Sequence, residues 1–114
     1  MQLKTIPELI AEIRPNMRCI SAAEARKELK ENHGLLIDVR EPGEVAEHPT
    51  PNSINIPRGV IEMRISEQHP DPQTPIYIHC ATGARATLAA EQLKRLGYRK
   101  VTIITCDLES ICAN

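Results

Sequence analysis

Four short aliphatic runs punctuate this chain: LLIDV at 35–39, INI at 54–56, IYIH at 76–79 and VTII at 101–104. The first is continuous and ends at a turn. Its length and boundaries suit a strand buried on both faces, as in a parallel sheet covered by helices. Helical patterns separate the runs. Thr5-Ile6-Pro7-Glu8 is a capping box with proline in the first turn. Leu9, Ile10 and Ile13 follow at helical spacing, and Pro15 closes an N-terminal helix within residues 1–16. Residues 17–20 read as extended. Ser21-Ala22-Ala23-Glu24 is a second capping box, opening a helix to about residue 31 that Asn32-His33-Gly34 stops. Residues 40–53 read as a loop with at most one helical turn near Glu44, 59–65 as a short helix, and the proline-rich 66–75 as an irregular connection. A longer helix starts at Arg85 and ends at Gly97, with Leu88, Ala89, Ala90, Leu93 and Leu96 as its core stripe. Strands alternating with helices predict an α/β fold: about five mostly parallel strands with helices on both faces.

Composition narrows the function classes. The 114 residues fit one domain, 1–114. There is no Phe and no Trp, so the core must be aliphatic. A formal net charge of -1 and only two Tyr argue against a nucleic-acid binder, which needs a basic surplus or stacking rings. No apolar run approaches the roughly 18 residues of a membrane span. The first residues lack an apolar core and carry Glu8 and Glu12, unlike a secretory signal. A cytoplasmic location is the expectation. Cysteines stand at 19, 80, 106 and 112 without a C-x-x-C, which predicts free thiols, no zinc site and no metal.

Chemistry concentrates in IYIHCATGAR, residues 76–85. A buried strand ends at His79, Cys80 follows, and a helix begins within five residues. In parallel sheets ligands sit at the carboxyl ends of strands. A strand–loop–helix turn aims several backbone N–H groups at one point, and the helix N-terminus adds partial positive charge. Gly83 permits a tight curl, Ala81 and Ala84 keep the loop small, and Arg85 brings a planar cationic fork suited to an oxyanion. Such a cradle favours the thiolate, which is the nucleophilic form. A buried free cysteine is common on its own. The loop, the glycine, the arginine and the helix start together favour a catalytic Cys80. His79 points to the other face of its strand and reads as a packed residue.

LLIDVREPGEV (35–45), INIPRG (54–59), IYIHCATGAR (76–85) and LGYRKV (96–101) together resemble the single-domain rhodaneses, a sulfurtransferase family, over residues 18–108. The resemblance implies the five-stranded rhodanese fold. It implies that Cys80 accepts sulfur and that residues 80–85 form the loop around it. The implied reaction takes a sulfane sulfur from thiosulfate or a similar small anionic donor onto Cys80 as a persulfide. The persulfide then passes it to cyanide or a thiol, including a protein thiol, without a cofactor. Two rivals stand beside this reading. One is a phosphatase or arsenate-reductase-like enzyme on the same fold. The phosphatases carry five residues between Cys and Arg; here there are four, a ring that fits a persulfide sulfur and clips a phosphoryl group. The other is a non-catalytic sulfur-carrier or binding module. Thr82 either hydrogen-bonds the outer sulfur or is an ordinary loop hydroxyl.

Supporting residues are read with less unity. Asp38 and Arg40 share a strand face. Asp38 is expected to pair with Arg85 or with loop N–H groups in a structural role. Arg40 either joins an ion pair or faces the mouth and attracts anions. The chain departs from the family at 48–53, where Asn52 stands at a glycine position and tolerates left-handed backbone. It departs again at 105–114, an atypical tail. There Cys106 follows the last strand and is weighed as a second thiol for Cys80 against an idle one, which is favoured. Cys19 and Cys112 receive no role.

Overall fold

The computed structural model describes residues 2–105. Ten elements follow in order. They are α1 (Ile6–Ile13), β1 (Arg18–Ile20), α2 (Ala22–Asn32), β2 (Leu35–Asp38) and α3 (Pro42–Glu47). Then come β3 (Ile54–Asn55), α4 (Ile61–Gln68), β4 (Ile76–His79), α5 (Ala84–Leu96) and β5 (Val101–Ile104). Single 3-10 turns at Arg14–Asn16 and Arg58–Val60 complete the trace.

The five strands form one sheet in the order β1-β5-β4-β2-β3, and every pairing is parallel. All the carboxyl ends therefore lie along one edge. Side chains alternate across the sheet. Ile37, Ile76, Ile78, Val101 and Ile103 face α4 and α5 in the larger core cluster. Leu36, Tyr77 and Ile104 face α2, against Ala22, Ala25 and Leu29. The core is aliphatic apart from Tyr77 and Tyr98, and the Tyr98 hydroxyl donates to the carbonyls of Ile65 (3.1 Å) and His69 (2.7 Å) at the end of α4. Among the described residues no helix is long and apolar enough to cross a membrane.

The capping signals act as read. Thr5 Oγ1 accepts from the Glu8 amide and Ser21 Oγ from the Glu24 amide, both at 3.2 Å. His33 takes the left-handed conformation that ends α2, and Asn52 takes it too, with φ 62°. Three local expectations need correction. Residues 42–47 form a whole helix, because Pro42 starts it and Glu44 Oε1 accepts from the Glu41 amide at 3.0 Å. α4 runs to Gln68, beyond the expected end at 65. Leu96 is 53% exposed, as the last residue of α5 before the chain turns at Gly97.

Tyr98→Phe leaves the two carbonyls at the end of α4 without that buried donor. The expected loss is about 1–2 kcal/mol, measured by urea unfolding; an unchanged midpoint would count against the bond's importance.

Candidate active site

β4 carries the candidate nucleophile. Its register with β2 sets Ile78 beside Ile37 and His79 beside Asp38. Alternation then directs Ile76, Ile78 and Cys80 to the α4–α5 side and His79 to the other. Cys80 is the first residue past the strand and is 1% exposed. Gly83 has φ +91°, a conformation that glycine adopts without strain. That turn brings the Gly83 amide to 3.0 Å from Cys80 Sγ. The Ala86 amide, in the first turn of α5, lies at 3.4 Å. The sulfur thus sits at a helix N-terminus with two N–H groups donating to it, a setting that favours negative charge. Ala81 and Ala84 are half-buried and Thr82 is exposed.

Arg85 does not reach Asp38. Its fork binds Glu44 of α3 with two bonds, Nη1 to Oε1 at 2.5 Å and Nη2 to Oε2 at 2.9 Å. The guanidinium holds the Glu44 carboxyl down at about 2, helped by the Glu41 amide. Glu44 in turn pushes the Arg85 pKa up, with Cys80 and Asp38 adding smaller attraction. The fork expected to receive a ligand oxyanion is therefore occupied by a carboxylate.

Asp38 pairs with Arg40 instead. Arg40 Nη2 lies 2.7 Å from Asp38 Oδ2, Nε lies 3.1 Å from both carboxylate oxygens, and the Arg40 amide donates to Oδ1 at 3.0 Å. Both side chains are almost wholly buried, at 1% and 0% exposure. The alternative that Arg40 faces the mouth and attracts anions is thereby corrected: its head has no access to solvent. It donates instead to the carbonyls of Glu44 (3.4 Å) and His48 (2.7 Å), which bracket the end of α3. A relay results. Asp38 fixes Arg40, Arg40 fixes α3, and α3 presents Glu44 to Arg85.

His79 lies beside this pair, fully buried. Its Nε2 is 3.5 Å from Thr50 Oγ1, and Nδ1 has no hydrogen-bond partner among the described residues. Burial pushes its pKa down to about 4, with the charge of Asp38 opposing and that of Arg40 assisting. It is a neutral, packed residue. Cys19 is exposed on β1, an edge strand separated from β4 by β5. Cys106, weighed as a second thiol, lies outside the described residues.

Sequence reasoning missed three participants. The Ala86 amide is implied by any helix start, although a one-letter pattern does not say which N–H points at the sulfur. Glu44 was hidden in a segment read as loop. Arg14 follows α1 and lies against Gly83: its Nε donates to Thr87 Oγ1 at 3.3 Å, and a Cβ on Gly83 would fall 2.6 Å from its Nη2. No local signal connects residues so distant in sequence.

This arrangement can be set beside known proteins. The family model described as the rhodanese-like domain matches residues 21–114. The chain belongs to the rhodanese-like domain family. A protein of Allochromatium vinosum named sulfurtransferase is 37% identical over 67 residues, 59% of this chain and 61% of that protein. A mitochondrial thiosulfate sulfurtransferase of Saccharomyces cerevisiae is 35% identical over 80 residues, 60% of this chain and 54% of that protein. The matches thus span less than two thirds of those relatives. The polysulfide-sulfur transferase of Wolinella succinogenes, solved in solution as a homodimer, has a TM-score of 0.75 and 28% identity. That likeness covers 90% of this chain and 77% of the other.

Two predictions follow the charges. Asp38→Ala strands a buried guanidinium and should cost about 3–5 kcal/mol, whereas Glu44→Gln breaks a half-exposed pair and should cost less than about 1 kcal/mol. Thermal or urea unfolding compares them; equal losses would refute the ranking. His79 supplies the second. Unfolded histidine takes a proton near pH 6.5, while folded His79 resists it down to about 4. Its contribution is complete above pH 6.5 and is lost as pH falls through that window, by roughly 2 kcal/mol between pH 7 and 4.5. His79→Gln should lose that much less stability over the same interval; an identical fall in both proteins would exclude the effect.

Proposed function

We propose that this protein is a sulfurtransferase that carries a sulfane sulfur as a persulfide on Cys80. The observation that supports it most directly is the pair of amides, Gly83 and Ala86, donating to a sulfur at the carboxyl end of β4. A thiolate held there needs no separate base, and the buried, neutral His79 on the other face is not placed to act as one. The Cys80 thiolate attacks the outer sulfur of thiosulfate; a new S–S bond forms, the S–S bond of the donor breaks, and sulfite leaves with its electron pair. The same amides then face the persulfide. An acceptor thiolate or cyanide attacks the outer sulfur and the Cys80 thiolate departs, which closes a ping-pong cycle without metal or organic cofactor.

The names of the relatives, sulfurtransferase and thiosulfate sulfurtransferase, agree with this reading. Thiosulfate suits this site as donor because it is small and anionic, matching the two N–H groups beside Cys80. Four residues between Cys80 and Arg85, and an Arg85 fork already filled by Glu44, both speak against phosphoryl transfer.

Intact mass after thiosulfate treatment tests the proposal. Wild type should gain one sulfur atom and Cys80→Ser none, and thiosulfate:cyanide turnover should fall by at least about a thousandfold in the variant, as for loss of a covalent nucleophile. Sulfur gain by Cys80→Ser, or hydrolysis of p-nitrophenyl phosphate by an unloaded wild type, would overturn it. Persulfide without turnover would move the protein to the carrier class.

A further inference from the structure

Charge beside the Cys80 loop is unevenly neutralised. Arg85 is held by Glu44, Arg40 by Asp38, and Arg58, farther along, by Glu62. Arg14 differs. It lies against the loop and forms no ion pair among the described residues. Its guanidinium is positioned by one hydroxyl: Nε donates to Thr87 Oγ1, and the same hydroxyl donates to the Gly83 carbonyl at 2.8 Å. Thr87 is fully buried, so this anchor is fixed by packing. The head sits where a Gly83 side chain would be, and the Gly83 amide lies 3.0 Å from Cys80 Sγ. A cation therefore rests against the residue whose amide donates to the sulfur.

A recess of about 470 Å³ opens beside Arg14. Pro7, Ile10 and Ala11 of α1 form its wall with Arg14, and Thr82 and Ala84 form its loop margin. It has room for a small tetrahedral anion together with part of its hydration. Its wall is apolar apart from Arg14 and Thr82, which leaves Arg14 as its one charged group among the described residues.

We propose that Arg14 is the residue that binds the anionic end of the sulfur donor, and that it selects donors by charge. The proposal rests on the sulfur-transfer reading above. Thiosulfate brings two negative charges toward a thiolate, and that repulsion must be offset before the sulfurs can meet. Arg85 is poorly placed to do so while Glu44 holds its fork with two bonds. Arg14 keeps its outer N–H groups and its full charge for the sulfonate. In the displacement the Cys80 sulfur bonds to the outer sulfur of the donor, the donor S–S bond breaks, and its electron pair leaves on sulfite. The developing sulfite dianion stays beside the same guanidinium.

The test compares Arg14→Gln and Arg14→Lys with wild type in thiosulfate:cyanide turnover, with thiosulfate binding to the Cys80→Ser background measured by calorimetry. Arg14→Gln should raise KM for thiosulfate about tenfold, a size appropriate to one charge-assisted contact, with kcat changed less than about twofold and KM for cyanide unchanged. Arg14→Lys should recover most of the KM. Calorimetry should give a matching loss of affinity for Cys80→Ser/Arg14→Gln. Sulfur loading of wild type with unchanged KM and affinity in the Gln variant overturns the role of Arg14 and leaves sulfur transfer standing. Equal loss in the Lys and Gln variants, carried by kcat and a lower unfolding temperature, also overturns it, because it marks a merely structural residue. Wild type that takes up no sulfur from thiosulfate overturns the transfer reading, and the donor role with it.

Discussion

A buried arginine organises the candidate site from beneath. Arg40 could not be carried into the interior alone, since an unpaired charge there costs several kcal/mol. Asp38 removes that cost with three contacts from the guanidinium and a fourth from the backbone. What remains of the donor set is directed at carbonyls near the end of α3. The pair therefore acts less as a source of net stability than as a device for placing a short helix. A six-residue helix has little packing of its own to hold it. With Arg40 beneath it, α3 stands opposite the start of α5 and its Glu44 meets Arg85.

The sheet supplies the other half of the geometry. Because all five strands run the same way, β2 and β4 end side by side, and the residues just past their ends become neighbours. Alternation then separates two tasks. Cys80 faces the α4–α5 side, where α5 begins and its Ala86 amide is directed at the sulfur. His79, Asp38 and Arg40 occupy the other side and stay buried. The candidate nucleophile and the charged scaffold thus lie on opposite faces of the sheet.

Much of this is legible in the sequence, and the boundary between what is legible and what is not has a physical basis. Local signals fared well. Capping residues Thr5 and Ser21, the stop at His33, and the left-handed Asn52 each depend on a few adjacent residues. The α/β class and the parallel sheet follow from short apolar runs between helical patterns. The loop at 80–85 is equally local, because glycine, small residues and a helix start suffice to define it. Tertiary choices were not legible. Asp38, expected to meet Arg85 or loop N–H groups, pairs with the buried Arg40. Arg85 met Glu44, whose helix was concealed by proline, glycine and charge. Leu96 fits the apolar stripe, yet spacing along a helix does not reveal which of its residues the neighbouring elements cover. Arg14 was out of reach altogether, since its position depends on α1 folding back onto α5.

The sheet's margins carry a consequence for life at high concentration. β1 has three residues and β3 only two, with Pro57 following shortly after β3. Rows of open peptide groups at a sheet's border invite pairing with another molecule, and short borders limit that invitation. The long apolar strands, β2, β4 and β5, are all interior to the sheet. An all-parallel array rich in isoleucine is thereby flanked by stubs too brief to template intermolecular aggregation.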